Sequence, residues 1–127
     1  MIKEVFVQAP NSLILVSDPS AGNVPTSMAG GVVAATGDCI AVGTLAEFDG
    51  ETRVRLVTGD DDEPDWRATR PAILAFDGCL SVPGGVLVVA NVFGDVLLDA
   101  VVGVGVVGVR VFVNDYSEPD DICVVVA

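Results

Sequence analysis

Residues 107–115 read VGVRVFVND, and this stretch decides the fold class. Every second residue is a valine, so Val107, Val109, Val111 and Val113 share one side of an extended chain. Glycine, arginine, phenylalanine and asparagine occupy the positions between them. An apolar residue at every second position is typical of a half-buried β-strand. The pattern therefore predicts a strand over residues 106–114.

The rest of the chain is built in the same way, with turn residues between short apolar runs. Valine, which suits a pleated strand better than a helix, occurs 26 times among the 127 residues. The predicted strands are 2–8, 12–17, 31–36, 39–46, 51–58, 72–82, 85–92, 95–102, 106–114 and 121–126. Their spacing predicts one domain over 1–127, an all-β, antiparallel, jelly-roll-like β-sandwich. At most one short helix is expected, near 61–69, where acids and a proline come first and Arg67 comes near the end.

Turn residues and alternation give more detailed expectations. The sequences TGDC at 36–39 and FDGE at 48–51 have the chemistry of hairpin turns, and VPGG at 82–85 is a further turn. The run GVLVVANV at 85–92 is apolar on both faces, which is typical of a central strand. The core is predicted to contain Val109, Val111, Val113, Leu98, Val96, Val54 and Leu56.

Composition and charge argue against several classes of partner. The 18 acids and six bases give a net charge of −12, which repels both phosphate and anionic membranes. We therefore expect no nucleic-acid partner and no membrane partner. Apolar runs are interrupted too early for a spanning helix, and the first ten residues lack a signal-peptide core. A cytoplasmic location is expected, with Cys39, Cys79 and Cys123 as buried thiols, since their wide spacing fits no disulfide framework.

The sequence offers little for catalysis. It contains no histidine, which removes the common triads and histidine-based metal sites. The glycine-rich run at 103–109 leads into a strand rather than a helix, so it lacks the arrangement of a phosphate-binding loop. We expect a protein that is not an enzyme and has no cofactor.

The segment GDDDEPDW at 59–66 is the most unusual feature of the chain, with five carboxylates in six positions. Neither this segment nor DYSEPDD at 115–121 fits the spacing of an EF-hand loop. A looser calcium site from both loops, placed at one end of the sandwich, stays open as an alternative, as does a solvated acidic surface. The predicted partner-binding residues are Asp60, Asp61, Asp62, Glu63, Asp65, Trp66, Glu118, Asp120 and Asp121. Trp66 is included because an exposed Trp beside charge is a common interface anchor; a Trp that closes the end of the sandwich is the alternative.

The C-terminal half also carries an order of signals that is similar to a known family. LSVPGGVLVV at 80–89 is followed by DAVVGVGVVGVRVFVND at 99–115, a polar loop and the strand ICVVVA. This order resembles the bacterial competence-protein-J-like proteins over about 50 residues. The resemblance implies a β-sandwich and, for the namesake proteins, inhibition of a DNA-degrading nuclease.

Together these features predict a non-enzymatic, acidic, protein-binding domain, an inhibitor or immunity-type partner of a basic protein such as a nuclease. A calcium-binding or small-molecule-binding module, or a plain structural domain, is the alternative. A homodimer is also expected, because the apolar strands 85–92 and 121–126 would need cover if either lay at a sheet edge.

Overall fold

The computed structural model describes residues 1–20, 23–59 and 66–126, and it confirms the all-β sandwich. All ten predicted strands are present, with boundaries that differ by up to three residues. The strands are β1 (Ile2–Val7), β2 (Leu13–Ser17), β3 (Val33–Ala35), β4 (Cys39–Gly43), β5 (Thr52–Thr58), β6 (Ile73–Val82), β7 (Val86–Asn91), β8 (Val96–Val101), β9 (Gly105–Val113) and β10 (Asp121–Val126). A 3-10 turn at Pro10–Ser12 and one short helix, α1 (Trp66–Thr69), complete the described structure.

The strands form two five-stranded sheets. Sheet A has the order β1-β5-β10-β9-β6, and sheet B has the order β3-β4-β2-β7-β8. Two antiparallel ribbons each contribute strands to both sheets. In one ribbon, β1 pairs with β5 in sheet A and β2 pairs with β4 in sheet B. In the other ribbon, β6 pairs with β9 in sheet A and β7 pairs with β8 in sheet B. We call residues 2–58 the first ribbon and residues 73–113 the second ribbon.

Strand β10 lies between the two ribbons in sheet A. It runs antiparallel to β9 but parallel to β5, with Asp121 opposite Arg53 and Val126 opposite Thr58. The sandwich is therefore antiparallel, as predicted, except at this one pair. Alternation within single strands does not reveal this direction, since it is set by the chain's route between β5 and β10.

The core lies between the sheets and is made of aliphatic side chains from both of them. Of the seven predicted core residues, Val54, Leu56, Leu98, Val109, Val111 and Val113 are buried. The prediction that Val96 belongs to the core is wrong, because 56% of this residue is exposed. A β-bulge between Val89 and Ala90 shifts the pairing of β7 with β8, and Leu97 packs against the core instead.

Two of the predicted turns connect the sheets rather than adjacent strands. The TGDC sequence closes the β3–β4 hairpin, with the Thr36 N–H donating to the Cys39 carbonyl at 2.9 Å. In contrast, FDGE lies between β4 of sheet B and β5 of sheet A, and VPGG lies between β6 of sheet A and β7 of sheet B. Turn residues predict that the chain reverses but not which sheet receives it.

The two nearly continuous apolar strands are both interior. As predicted, β7 is central, between β2 and β8, and β10 is paired on both sides. The outer face of β10 is covered by Trp66 of α1. The reason for expecting a homodimer through these strands therefore does not hold, and dimerisation stays an untested prediction. No helix in the described part of the chain is long and apolar enough to cross a membrane.

The cysteines are only partly as expected. Cys39 and Cys123 are buried, and burial raises the pKa of each thiol to about 11. Cys79 is exposed, because it lies on the outer face of the edge strand β6, while its neighbour Leu80 faces the core. The prediction of three buried thiols is thus wrong at Cys79.

Asp18 fastens the end of β2 to the turn between β6 and β7. Its carboxylate accepts hydrogen bonds from the Ser20 N–H and hydroxyl and from the Gly84 N–H at 2.6–2.8 Å. A Cβ at Gly84 would lie 3.0 Å from this carboxylate, so the turn fits closely only with glycine. This contact links the first ribbon to the second at the end of the sandwich opposite the β9–β10 loop.

We expect Ile122→Ala to lower the free energy of unfolding by about 2–5 kcal/mol, because Ile122 is fully buried between the ribbons. Urea denaturation at pH 7 measures this as a lower midpoint with an unchanged slope. The control is Val104→Ala, where 79% of the side chain is exposed and a change within about 0.5 kcal/mol is expected. Equal effects at the two positions would contradict the placement of β10.

We expect Asp18→Asn to be less stable than the parent at pH 7 and to lose less stability on acidification. The hydrogen bonds from Ser20 lower the pKa of Asp18 below its ordinary value of 3.8. Ionised Asp18 therefore stabilises the fold above about pH 4, and this contribution is lost as the pH falls through the lower pKa of the folded state. Urea midpoints between about pH 6 and pH 2 test this, and parallel profiles for the two proteins would contradict it.

Candidate functional site

The structure describes four of the nine predicted partner-binding residues, and one of these four is buried. Asp60, Asp61, Asp62, Glu63 and Asp65 lie outside the described residues. Trp66 is described and is buried, with 5% of its surface exposed. It packs with Val57, Phe112, Cys123 and Val125 on the outer face of sheet A, and the Arg67 guanidinium lies 4.5 Å from its ring centroid. Trp66 therefore covers a sheet and does not present an exposed anchor.

Glu118, Asp120 and Asp121 lie together at the β9–β10 loop. Glu118 and Asp120 are exposed, whereas Asp121 is half-buried at the start of β10. One oxygen of Asp121 lies 3.5 Å from the buried Arg55 guanidinium, which also donates to the Thr69 hydroxyl at 2.7 Å. Asp121 is thus directed at the sheet, and the two other carboxylates face solvent.

The β9–β10 loop is ordered by its own side chains. The Asn114 side-chain carbonyl accepts from the Asp120 and Asp121 N–H groups, and its amide donates to the Asp120 carboxylate at 2.6 Å. Asp115 accepts from the Ser117 and Glu118 N–H groups, and these bonds, led by that from Glu118, lower the pKa of Asp115. The loop therefore holds its carboxylates in place before any partner arrives.

The two acidic segments are connected to opposite ends of β5. The segment 60–65 follows the end of β5, and the segment 115–121 ends beside its start. The parallel register places Asp121 beside Arg53, while Thr58 and Gly59 lead toward the segment 60–65. Arg53 and Thr58 are roughly 17 Å apart along an extended strand. The register thus gives no support to the expectation that both segments meet at one end, which was the basis of the looser calcium site.

The β9–β10 loop instead contacts the acidic connection 44–51 and lies at the same end of the sandwich as the connection 92–95. Register pairs place Gly43, Leu13 and Asn91 at one end of sheet B. The Leu45 N–H donates to the Pro119 carbonyl at 2.8 Å, which joins this end of sheet B to the β9–β10 loop. We call the three connections 44–51, 92–95 and 114–120 the acidic end. They contain seven carboxylates and no lysine or arginine: Glu47, Asp49, Glu51, Asp95, Asp115, Glu118 and Asp120.

Each connection of the acidic end also exposes one aromatic side chain. Phe48 is 93% exposed, and Phe93 and Tyr116 are each 74% exposed. Large exposed aromatics among charges are the residues that anchor protein interfaces. Sequence reasoning missed all three, because they are about 23 to 68 residues apart in the chain and none of them lies in the acidic segment 59–66. Only the strand register brings them to one end.

The five arginines gather on a different surface, around the outer face of sheet A. Arg53 and Arg55 alternate with core residues along β5, and Arg53 pairs with Glu4. Arg70 and Arg110 lie 4.3 Å and 5.8 Å from the Phe112 ring centroid, and Arg67 lies over Trp66. The three connections of the acidic end therefore contain no basic side chain that would neutralise their carboxylates.

The described carboxylates of the acidic end do not converge on a metal-binding cluster. Among residues 1–20, 23–59 and 66–126, no group of three or more metal-ligating side chains comes together. The carboxylates of the β9–β10 loop are occupied by backbone and side-chain donors of the same loop or exposed to solvent. What this surface offers is ordered negative charge around three exposed rings.

Comparisons with known proteins give a likeness of fold. No family model matches the chain, and no curated protein matches it. The crystal structure of ComJ from Bacillus subtilis, an inhibitor of the DNA-degrading activity of NucA, is similar over 100% of this chain and 99% of its own, with a TM-score of 0.64 and 10% identity. The protein of crocagin biosynthetic gene J is similar over 99% of this chain and 96% of its own, with a TM-score of 0.60 and 14% identity. The fold resemblance predicted from the C-terminal half is confirmed, and it extends over the whole chain.

We expect Trp66→Ala to lower the free energy of unfolding by about 3 kcal/mol, because it removes the cover from the outer face of β10. Thermal and urea unfolding measure the change. Glu118→Gln, at an exposed position on the acidic end, serves as the control and stays within about 0.5 kcal/mol of the parent. A Trp66→Ala protein with unchanged stability would mean that the tryptophan is not part of the packing.

Proposed function

We propose that the chain is a non-enzymatic inhibitor of a basic protein, a nuclease, and that the acidic end is the surface that binds it. The observation that carries this proposal is the acidic end itself, with seven carboxylates and three exposed aromatic rings drawn from three connections. The predicted residues Glu118 and Asp120 belong to this surface. A contribution from Asp60–Asp65 stays a prediction, and Trp66 has no direct part in it.

Charge complementarity supports this choice of partner. A nuclease that degrades DNA needs a basic cleft to hold phosphates, and a carboxylate-rich surface matches that cleft while a phosphate-binding surface does not. The net charge of −12 speeds encounter with such a partner. The similarity in fold to ComJ, itself a nuclease inhibitor, favours the same class of function here.

The order of the β9–β10 loop supports it further. Binding costs less when side chains and loops are already held in place. The hydrogen bonds of Asn114 and Asp115 fix this loop, and the Leu45–Pro119 bond fixes it against the connection that carries Phe48. The rings of Phe48 and Tyr116 supply contact area at a small cost in side-chain entropy.

We expect the protein to slow plasmid degradation by purified NucA and to retain DNA-degrading activity from a native bacterial extract on a column of the immobilised protein. Inhibition should weaken steeply between about 50 and 200 mM salt, because it depends on exposed charges. Plasmid cleavage in the presence and absence of the protein, and cleavage by the salt eluate of the column, measure the two effects.

Matched variants locate the surface. We expect Phe48→Ala, Phe93→Ala and Tyr116→Ala together to abolish retention and inhibition, while Val101→Ala, Val104→Ala and Val106→Ala, three exposed residues at the other end of the sandwich, leave both unchanged. Asp49→Asn with Glu118→Gln should weaken binding by about tenfold or more, and Asp77→Asn on β6 should not. A column that retains no DNA-degrading activity, with no inhibition of NucA, would overturn the proposal.

A further inference from the structure

A cavity of about 410 Å³ lies on the outer side of sheet B, away from the core between the sheets. Its floor consists of Leu13, Leu15, Ala41 and Val92, and its wall is the irregular segment 24–28. This segment belongs to the connection between β2 and β3, and residues 24–28 lie over the outer face of the sheet. Cavities of about 300–1,000 Å³ are the size that small-molecule ligands occupy in proteins.

The cavity has a clear origin in the sequence. Leu15 points to the outer face, since its neighbours Ile14 and Val16 are fully buried in the core. Its partners on the two adjacent strands are both alanines, Ala41 on β4 and Ala90 on β7. The small Ala41 side chain beside Leu15 leaves a recess, and the covering segment does not fill it.

The covering segment is held in position at both sides of the cavity. The Asn23 side-chain amide donates to the Asp38 carboxylate at 2.8 Å, and the Thr36 hydroxyl donates to the Asn23 carbonyl at 2.6 Å. Beyond the cavity, the Gly31 N–H donates to the Met28 carbonyl at 2.8 Å. The cavity is therefore formed in the free protein and does not need a ligand to open it.

The lining specifies the chemistry of the occupant. Within the described ranges the lining is apolar except for the hydroxyl residues Thr26 and Ser27, and no charged side chain contributes to it. A carboxylate or phosphate would find no cation there, and the net charge of −12 repels it. An uncharged apolar molecule with one hydrogen-bonding group matches this lining.

We propose that this cavity is a binding site for an uncharged, apolar small molecule, separate from the acidic end. The sheet supplies the apolar floor, and Thr26 and Ser27 supply the polar contacts that orient the ligand. This site goes beyond the proposed inhibitor function and does not depend on it.

Two dyes that share one ring system test the proposal. N-phenyl-1-naphthylamine is uncharged, and 8-anilinonaphthalene-1-sulfonate adds a sulfonate to the same rings. We expect the uncharged dye to bind the full-length protein at one saturable site, with a fluorescence increase, and the sulfonate to bind about tenfold more weakly or worse. Equal binding of the two dyes, or no saturable binding of the uncharged one, would overturn the proposal.

Matched substitutions test whether the uncharged dye binds in this cavity. Ala41→Leu fills the recess and should weaken binding of the uncharged dye by about tenfold or more, whereas Ala68→Leu, on the exposed side of α1, should leave it within about twofold. If Ala41→Leu fails to fold, amide NMR shifts of the parent protein decide: changes at 13–15, 24–28 and 92 support the site, and changes confined elsewhere overturn it. The triple aromatic variant of the acidic end should bind the dye normally, so failure of the inhibitor function and failure of this site are distinguishable.

Discussion

The pairing of β10 with β5 on one side and β9 on the other is the interaction on which the two sheets depend. In the described sheets the ribbons meet at this strand in sheet A and at the β2–β7 pair in sheet B. Ile122, Val124 and Val126 face the core, and Cys123 and Val125 are buried beneath Trp66. Each fully buried aliphatic side chain contributes about 1.5–3 kcal/mol, so a strand buried on both faces stabilises the contact between ribbons more than any exposed connection does.

The same arrangement explains why the acidic end exists. Strand register places the connections 44–51, 92–95 and 114–120 at one end, and rigid strands then hold loops that the core itself does not require. Seven carboxylates in one place repel one another, which favours the unfolded chain, although water and salt screen much of the repulsion. Packing of Trp66, Phe112 and the arginines on the outer face of sheet A keeps most positive charge on another surface. The stability of the fold therefore does not account for this charge distribution, which is consistent with the binding function proposed above.

Local pattern was enough to predict the strands, and it failed where the outcome depends on contacts between distant segments. The alternation at 107–113 and the double-sided apolar run at 85–92 each reflect the burial of their own strand, so both were predictable. Val96 was misplaced because β8 carries one extra residue, Leu97, at the bulge opposite Val89 and Ala90, which reverses the face of Val96. FDGE was misread because a turn does not specify its sheet. The candidate site was harder still, because Phe48, Phe93 and Tyr116 are far apart in the sequence. Trp66 was included for the carboxylates beside it in the sequence, although it is buried.

The parallel β5–β10 pair also has a consequence for how the chain reaches its folded state. Arg53 pairs with Asp121, 68 residues further along, whereas β3–β4 and β7–β8 join neighbouring strands. A contact between distant residues costs the entropy of closing a long loop before the contact itself stabilises the chain. β-Proteins of this kind therefore fold in milliseconds to seconds rather than microseconds. Each ribbon can form its local hairpins first, with unpaired backbone along β5 and β9 until β10 arrives. That interval, rather than the folded state, is when this valine-rich chain is most exposed to association with other copies.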